Sequence, residues 1–181
     1  MARIAFILGE DFEDSEFRKP YDALASAGHR IEVLGANAGE TVSGKQAREH
    51  VKIEAACAER TPDDYDALVI PGGYSPDHLR TEPAVVRFVQ AMVRAGKLIA
   101  AVCHGPQLLI EAEAVDHKTV TSWPSLRTDL INAGAKWVDR DVVIDGNLVT
   151  SRKPDDLDAF AAAIQERLGE PTRQHAAPGA R

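Results

Sequence analysis

Residues 98–110, LIAAVCHGPQLLI, decide how the rest of the sequence is interpreted. An apolar run is followed by Cys103 and His104, and a second apolar run begins after Gly105 and Pro106. A short apolar run is typical of a buried strand, and proline suits the first turn of a helix. The stretch therefore predicts a strand that enters a helix through a tight turn, with a thiol and an imidazole at that turn.

The same strand-then-helix pattern repeats along the chain. Apolar, β-rich runs are RIAFILG (3–9), HRIEVLG (29–35), DALVIPGG (66–73) and LIAAV (98–102), and helical patterns cover 15–27, 82–97 and 154–169. Strands that alternate with helices indicate βαβ units and a mainly parallel sheet. We therefore predict a doubly wound α/β domain with helices on both faces of the sheet.

Two segments depart from this alternation. Residues 39–56 contain Gly44 between TVS and an alternating VKIEA, which predicts a hairpin excursion. Residues 141–151, DVVIDGNLVTS, predict a second hairpin that turns on Asp145 and Gly146.

Composition limits the class of protein. A chain of 181 residues suits one domain with a single sizeable core. Its net charge of −7, without a run of Lys or Arg, argues against nucleic acid and anionic membrane as partners. Two cysteines and no targeting segment lead us to expect a reduced protein in the cytoplasm.

The predicted turn gives Cys103 a chemical role. The amino end of the following helix would direct N–H groups at the thiol and stabilise its thiolate, which is the nucleophilic form. His104 adds a group that titrates near neutral pH. In the competing interpretation Cys103 is a small buried apolar residue and His104 a solvated loop residue. Cys57 has no such setting, so we assign it a structural role.

Several motifs together resemble the ThiJ/PfpI superfamily, and specifically its PfpI-like branch of intracellular cysteine peptidases and stress proteins. They are FEDSE, DALVIPGGYSPDHLR, AAVCHGPQLL, TSWPSLRTDLINAGAKWVD and DGNLVTSRKPDDL. The likeness runs from Arg3 to about Leu168. We therefore predict one domain over residues 1–168, with a flavodoxin-like fold and a nucleophile elbow at Cys103, followed by a disordered tail over 169–181.

The resemblance implies roles for individual residues. Cys103 is the family nucleophile and His104 the histidine beside it. Asp77 matches an acidic residue that a neighbouring subunit supplies to complete a triad, which implies a homodimer or a higher homo-oligomer. Glu16 matches the family acid beside the thiol, with Glu13 as a second candidate. Both glutamates also fit an ordinary acidic first turn of a helix.

The turn at Gly72 and Gly73 is expected to aim a backbone N–H, together with that of His104, at a developing oxyanion. Family analogy favours Gly73 over Gly72. Trp123 is expected to form a pocket wall. The other histidines lack metal-ligand spacing with either cysteine, so the sequence predicts no metal, and it predicts no cofactor.

Four functions remain open from the sequence. The first is a cysteine hydrolase that cleaves peptide bonds or related acyl groups. The second is a cofactor-independent glyoxalase or protein deglycase that acts on a small aldehyde or its adducts. The third is a stress-responsive protein with an oxidisable Cys103 and little turnover. Flavin binding rests on fold analogy alone.

Overall fold

The computed structural model describes residues 1–169. In chain order the elements are β1 (Arg3–Ile7), α1 (Asp14–Ser26), β2 (Arg30–Gly35), β3 (Thr41–Ser43), β4 (His50–Lys52), β5 (Ala55–Ala56), β6 (Ala67–Ile70), α2 (Ser75–Leu79), α3 (Pro83–Arg94), β7 (Leu98–Val102), α4 (Pro106–Glu111), β8 (Thr119–Val120), α5 (Arg127–Asn132), β9 (Lys136–Trp137), β10 (Val142–Asp145), β11 (Leu148–Ser151) and α6 (Leu157–Gly169).

Seven strands form the central sheet in the order β10-β11-β7-β6-β1-β2-β5. All neighbouring pairs in this sheet are parallel except β10 with β11. The chain leaves β1 towards β2 and later returns to β6 on the other side of β1, so the strand order reverses between β1 and β6. Ligands of open α/β sheets bind at the carboxyl ends of strands beside such a reversal.

The sheet is buried on both faces, as the continuous apolar runs of its strands require. Ala5 and Ile7 of β1 belong to a core that includes residues of α2, α3, α4 and α5. Ile4 and Phe6 point the other way, into a core formed with α1 and α6. The predicted doubly wound, flavodoxin-like sheet with helices on both faces is therefore confirmed.

Boundaries of the main elements lie close to the predicted ones. The predicted hairpin near the carboxyl end is confirmed, but Asp145 pairs with Leu148, so its two loop residues are Gly146 and Asn147. The short helix α2 was missed, because its five residues are too few for a periodic pattern. The predicted tail, 169–181, lies outside the described residues apart from Gly169, which ends α6. Within residues 1–169, none of the helices combines the length and the apolar character needed to cross a bilayer.

The predicted excursion at 39–56 is a hairpin of β3 and β4, followed by β5 at the sheet edge. Its loop is fixed to the start of α1 by the Asp14 carboxylate, which accepts backbone N–H bonds from Gln46, Arg48 and Glu49 at 2.9, 3.0 and 2.9 Å. Gly44 is required here, since a Cβ atom at this position would overlap the Asp14 carboxylate. Asp14 therefore positions the hairpin over α1.

Asp14 generates a prediction about stability. Burial alone would raise its pKa, but the N–H donors of Gln46, Glu49 and Arg48 outweigh that effect and hold the pKa below its ordinary value. A depressed pKa means that the stabilisation is present above the unfolded-state value of 3.8 and is lost as the pH falls further. We expect Asp14→Asn to lower the free energy of unfolding by about 2 kcal/mol near neutral pH, and by less below about pH 4.

Urea denaturation at the two pH values measures both effects. Asp22→Asn is the matched control, because Asp22 lies on the same helix and forms only an exposed ion pair with Arg18. A loss no larger for Asp14→Asn than for Asp22→Asn would show that the carboxylate does not hold the hairpin.

Candidate active site

Cys103 lies between the end of β7 and the start of α4, in a tight turn. Its φ of 60° is in the left-handed region, which is uncommon for a residue other than glycine. The turn is held on both sides: Cys103 N–H donates to Ser151 O, and Trp123 N–H donates to Cys103 O, each at 3.0 Å. At Gly105 a Cβ atom would lie 2.5 Å from Ile70 O, so the backbone approach requires glycine. The strand, turn and helix predicted for residues 98–110 are confirmed.

The carboxyl of Glu16 lies beside the Cys103 thiol. Glu16 is on α1 and is 0% exposed, and its Oε2 accepts a hydrogen bond from Gly72 N–H at 2.8 Å. A Cβ atom at Gly72 would approach both Glu16 Oε2, at 2.6 Å, and Cys103 Cβ, at 2.8 Å. Glu16, Gly72 and Cys103 are thus packed in one group. The Gly72 N–H is used by Glu16, so it is not free for a substrate oxygen.

This packing determines where protons reside. Burial raises the pKa of Glu16 to about 7, against the hydrogen bond from Gly72 N–H, which lowers it. Burial also raises the pKa of the Cys103 thiol, and the charge of Glu16 adds to that effect. Two acids in one desolvated site resist carrying two negative charges. The pair therefore keeps at least one proton around neutral pH.

The thiol differs from the sequence-based expectation. An exposed, readily ionised Cys103 was predicted, but the residue is only 8% exposed and its pKa is raised. The N–H groups of His104 and Gly73 do lower that pKa, as a helix start and a glycine turn should, but burial and Glu16 outweigh them. The prediction considered the turn and could not include the desolvation that α1 imposes from the other side.

His104 contacts the thiol through one ring nitrogen and Ser125 through the other. Its Nδ1 lies 3.3 Å from Cys103 Sγ, and its Nε2 lies 3.3 Å from Ser125 Oγ. The ring stacks on Trp123, with centroids 6.5 Å apart and an interplanar angle of 26°. Burial lowers the pKa of His104 and the positive charge of Lys45 lowers it further, while Asp77 opposes both. His104 is therefore neutral at neutral pH.

Glu13 has a different environment from Glu16. Glu13 is buried, and its carboxylate forms an ion pair with Lys45 Nζ at 2.7 Å. It also accepts hydrogen bonds from the side chains of Ser15 and Gln46 at 3.2 and 3.4 Å. Lys45 therefore balances the charge of Glu13. Glu16 has no such ion pair among the described residues, so it is the carboxyl beside the thiol that can hold a proton. Lys45 was missed by sequence reasoning. It lies in the irregular hairpin segment, and only the docking of that hairpin on α1 brings it to the site.

Gly73 lies in the turn between β6 and α2, beside the Cys103 thiol. Its φ of 77° favours glycine, and a Cβ atom there would lie 2.5 Å from Glu13 N. The backbone N–H groups of Gly73 and His104 both act on Cys103 Sγ, lowering its pKa. Both N–H groups therefore lie beside the sulfur, and the choice of Gly73 over Gly72 as an oxyanion donor stays a prediction.

Trp123 lies beside the His104 ring, and Asp77 lies on α2 with its charge acting on that ring. Trp123 is 40% exposed and stacks with the His104 ring, and its role as a pocket wall stays a prediction. Asp77 is exposed on α2, and within residues 1–169 of one chain no hydrogen bond joins it to His104. Its action across a subunit boundary stays a prediction. The same part of the chain holds no group of three or more His, Cys, Asp or Glu side chains arranged for a metal ion.

The fold and the site together define a class: a doubly wound α/β protein whose candidate active site combines a cysteine and a buried carboxyl near the reversal of strand order. Comparison with known proteins identifies the family: the model of the DJ-1/PfpI family matches residues 2–167, and the chain belongs to this family. The resemblance inferred from the sequence motifs is thereby confirmed.

Relatives of this chain include a stress protein and a deglycase. General stress protein 18 of Bacillus subtilis is 46% identical over 159 residues, which cover 87% of this chain and 92% of the relative. Protein/nucleic acid deglycase 2 of Escherichia coli K12 is 44% identical over 168 residues, 92% of this chain and 98% of the relative. The crystal structure of Drosophila melanogaster DJ-1beta matches with a TM-score of 0.85 and 33% identity, over 92% of this chain and 89% of that one.

Glu16 also generates a prediction about stability, but here stability falls as the pH rises, whereas for Asp14 it falls as the pH drops. Its folded-state pKa of about 7 lies above the unfolded value of 4.5, so the unfolded state releases the proton first and stability is lost as the pH rises between these values. Glu16→Gln removes the ionisable group and keeps an acceptor for Gly72 N–H. We expect the variant to exceed the wild type in free energy of unfolding by roughly 3 kcal/mol at about pH 8, with the difference declining towards about pH 4.5.

Urea denaturation across this pH range measures the difference, with Glu40→Gln as the control at an exposed glutamate. A gap between Glu16→Gln and the wild type that does not change with pH would contradict the raised pKa of Glu16.

Proposed function

We propose that this protein is a cofactor-independent deglycase of the glyoxalase type, in which Cys103 attacks the aldehyde-derived carbon of an α-oxoaldehyde or of its early adduct with an amine. The observation that carries the proposal is the buried Glu16 carboxyl packed against the Cys103 thiol. A group with a pKa near 7 can both accept and return a proton at neutral pH. The reaction needs both transfers.

The protonation of the site favours carbonyl addition over peptide cleavage. A cysteine peptidase of the Cys–His type relies on a thiolate with a protonated histidine. Here burial raises the pKa of Cys103 and lowers that of His104, so the neutral thiol and neutral imidazole are favoured. Addition of a thiol to an aldehyde starts from such neutral groups, because the sulfur bonds to carbon while its proton passes to the oxygen.

The remaining steps use groups already placed around the sulfur. With methylglyoxal, the S–C bond forms while Nδ1 of His104 relays the thiol proton to the aldehyde oxygen, giving a hemithioacetal next to the N–H groups of Gly73 and His104. Glu16 then takes the proton from the former aldehyde carbon, and the adjacent carbonyl oxygen gains a proton, which gives an enediol. Glu16 returns its proton to the adjacent carbon while the hydroxyl on the sulfur-bearing carbon loses its proton, and the product is a lactoyl thioester. Water hydrolyses the thioester to lactate and restores the thiol. From an early amine adduct, the S–C bond forms as the C–N bond breaks, and the amine leaves with the proton of the thiol.

The family comparison supports the same reaction class. One relative of 44% identity is named a protein/nucleic acid deglycase, and another of 46% identity is named a general stress protein. The peptidase and redox-responsive interpretations stay predictions, as do a cytoplasmic location and a homodimer or larger assembly.

Lactate formation from methylglyoxal tests the proposal. We expect the reduced wild type to form lactate, Cys103→Ala to fall to background, and Glu16→Gln to lose about 100-fold in kcat because the proton carrier is gone. Cys57→Ala is the matched control, since burial raises the pKa of this second thiol to about 12. It should stay within about twofold of the wild type, because Cys57 belongs to the core on the opposite face of the sheet from Cys103.

A second arm separates repair of adducts from removal of free aldehyde. The wild type should release N-acetylarginine from its preformed methylglyoxal adduct. This release should be faster than the decay of the same adduct when a chemical scavenger only removes the free aldehyde, and its rate should saturate as the adduct concentration rises. Absence of lactate and of amine release from protein with reduced Cys103 would refute the proposed function.

A further inference from the structure

Among residues 1–169, His104 alone places a ring nitrogen next to the Cys103 sulfur, and its opposite nitrogen lies 3.3 Å from the Ser125 hydroxyl. We propose that Ser125 is a positioning residue of this site, which accepts a hydrogen bond from Nε2–H of His104 and so keeps the Nδ1 lone pair directed at the thiol. The inference deepens the proposed function and rests on it only for the role of Cys103 as nucleophile.

The chemistry of a neutral imidazole requires such a partner. One ring nitrogen of a neutral histidine is a donor and the other an acceptor, and the hydrogen bond at one nitrogen decides the state of the other. A thiol can pass its proton only to an unprotonated nitrogen. Ser125 Oγ lies 3.3 Å from Nε2, and Cys103 Sγ lies 3.3 Å from Nδ1. In the proposed tautomer the hydroxyl accepts from Nε2–H, so Nδ1 is left as the proton acceptor.

Ser125 is held at this position by the backbone around it. It is the middle residue of the short 3₁₀ turn Pro124–Leu126, which begins with a proline. The preceding Trp123 N–H donates to Cys103 O at 3.0 Å, and the following Leu126 is buried in the core. The turn is thus fixed to the same elbow that carries Cys103 and His104, so the hydroxyl and the ring keep their relative position.

Ser125 also fits the chemistry better than a carboxylate would. The charged groups whose fields reach His104 are Lys45 from the β3–β4 hairpin and Asp77 from α2, and the thiol is its titratable neighbour. A carboxylate hydrogen-bonded to Nε2 would stabilise the protonated imidazolium, whereas a neutral hydroxyl fixes the ring without adding charge. Carbonyl addition from a neutral thiol and a neutral imidazole therefore needs the neutral hydroxyl at Nε2.

Nitrogen NMR of the histidine side chains tests the inference without any substrate. His104→Gln identifies the His104 signals, and the spectra are compared for wild type, Ser125→Ala, Ser125→Thr and Asp77→Asn, with Ser26→Ala as control at an exposed serine far along α1. We expect Nε2–H in the wild type and a shift of the tautomer ratio towards Nδ1–H by about fivefold in Ser125→Ala. Ser125→Thr keeps the hydroxyl and should restore the wild-type ratio.

Kinetics provide the second readout. In the lactate assay, Ser125→Ala should lower kcat by about fivefold with KM unchanged, and Ser125→Thr should recover kcat to within about twofold. An unchanged tautomer ratio in Ser125→Ala, or a shift seen only in Asp77→Asn, would overturn the inference. If the wild type forms no lactate the proposed function fails, and the NMR result still decides whether Ser125 positions the ring.

Discussion

The contact that the rest of the site depends on is the burial of the Glu16 carboxyl against the Cys103 thiol. Two acidic groups in one desolvated space cannot both ionise at low cost, so they hold a proton between them near neutral pH. That proton sets the chemistry: it favours a thiol that adds to a carbonyl, and a carboxyl that moves protons between adjacent carbons. The neutral His104 follows from the same exclusion of water.

The fold produces this contact by joining elements that are distant in sequence. Cys103 comes from the end of β7, Gly72 from the turn after β6, and Glu16 from the helix after β1, and all three strands end at the same edge of the sheet beside the order reversal. Gly72 permits the approach, since any side chain there would displace the carboxyl or the thiol. The cost of a buried carboxyl with a raised pKa is typical of a site that gives up stability for function.

Local patterns predicted much of this arrangement, and long-range contacts account for what they missed. Strands, the main helices and the elbow at Cys103 follow from apolar periodicity, glycine and proline, which act over a few residues. Glu16 needed the family resemblance, because an acidic first helix turn looks the same whether or not a thiol lies beside it. Lys45 and Ser125 had no local signal, since each reaches the site through the docking of another segment. The raised pKa of Cys103 is a tertiary property that the turn alone could not reveal.

The most direct test of the central claim is a titration of the Glu16 side-chain carboxyl by carbon NMR in the reduced wild type, with Glu16→Gln to assign the signal. The account predicts a midpoint at about 7, well above that of an exposed glutamate. A midpoint near the ordinary value of 4.5 would mean that Glu16 is fully ionised beside the thiol at neutral pH, and it would contradict the raised pKa on which the role of Glu16 as proton carrier rests.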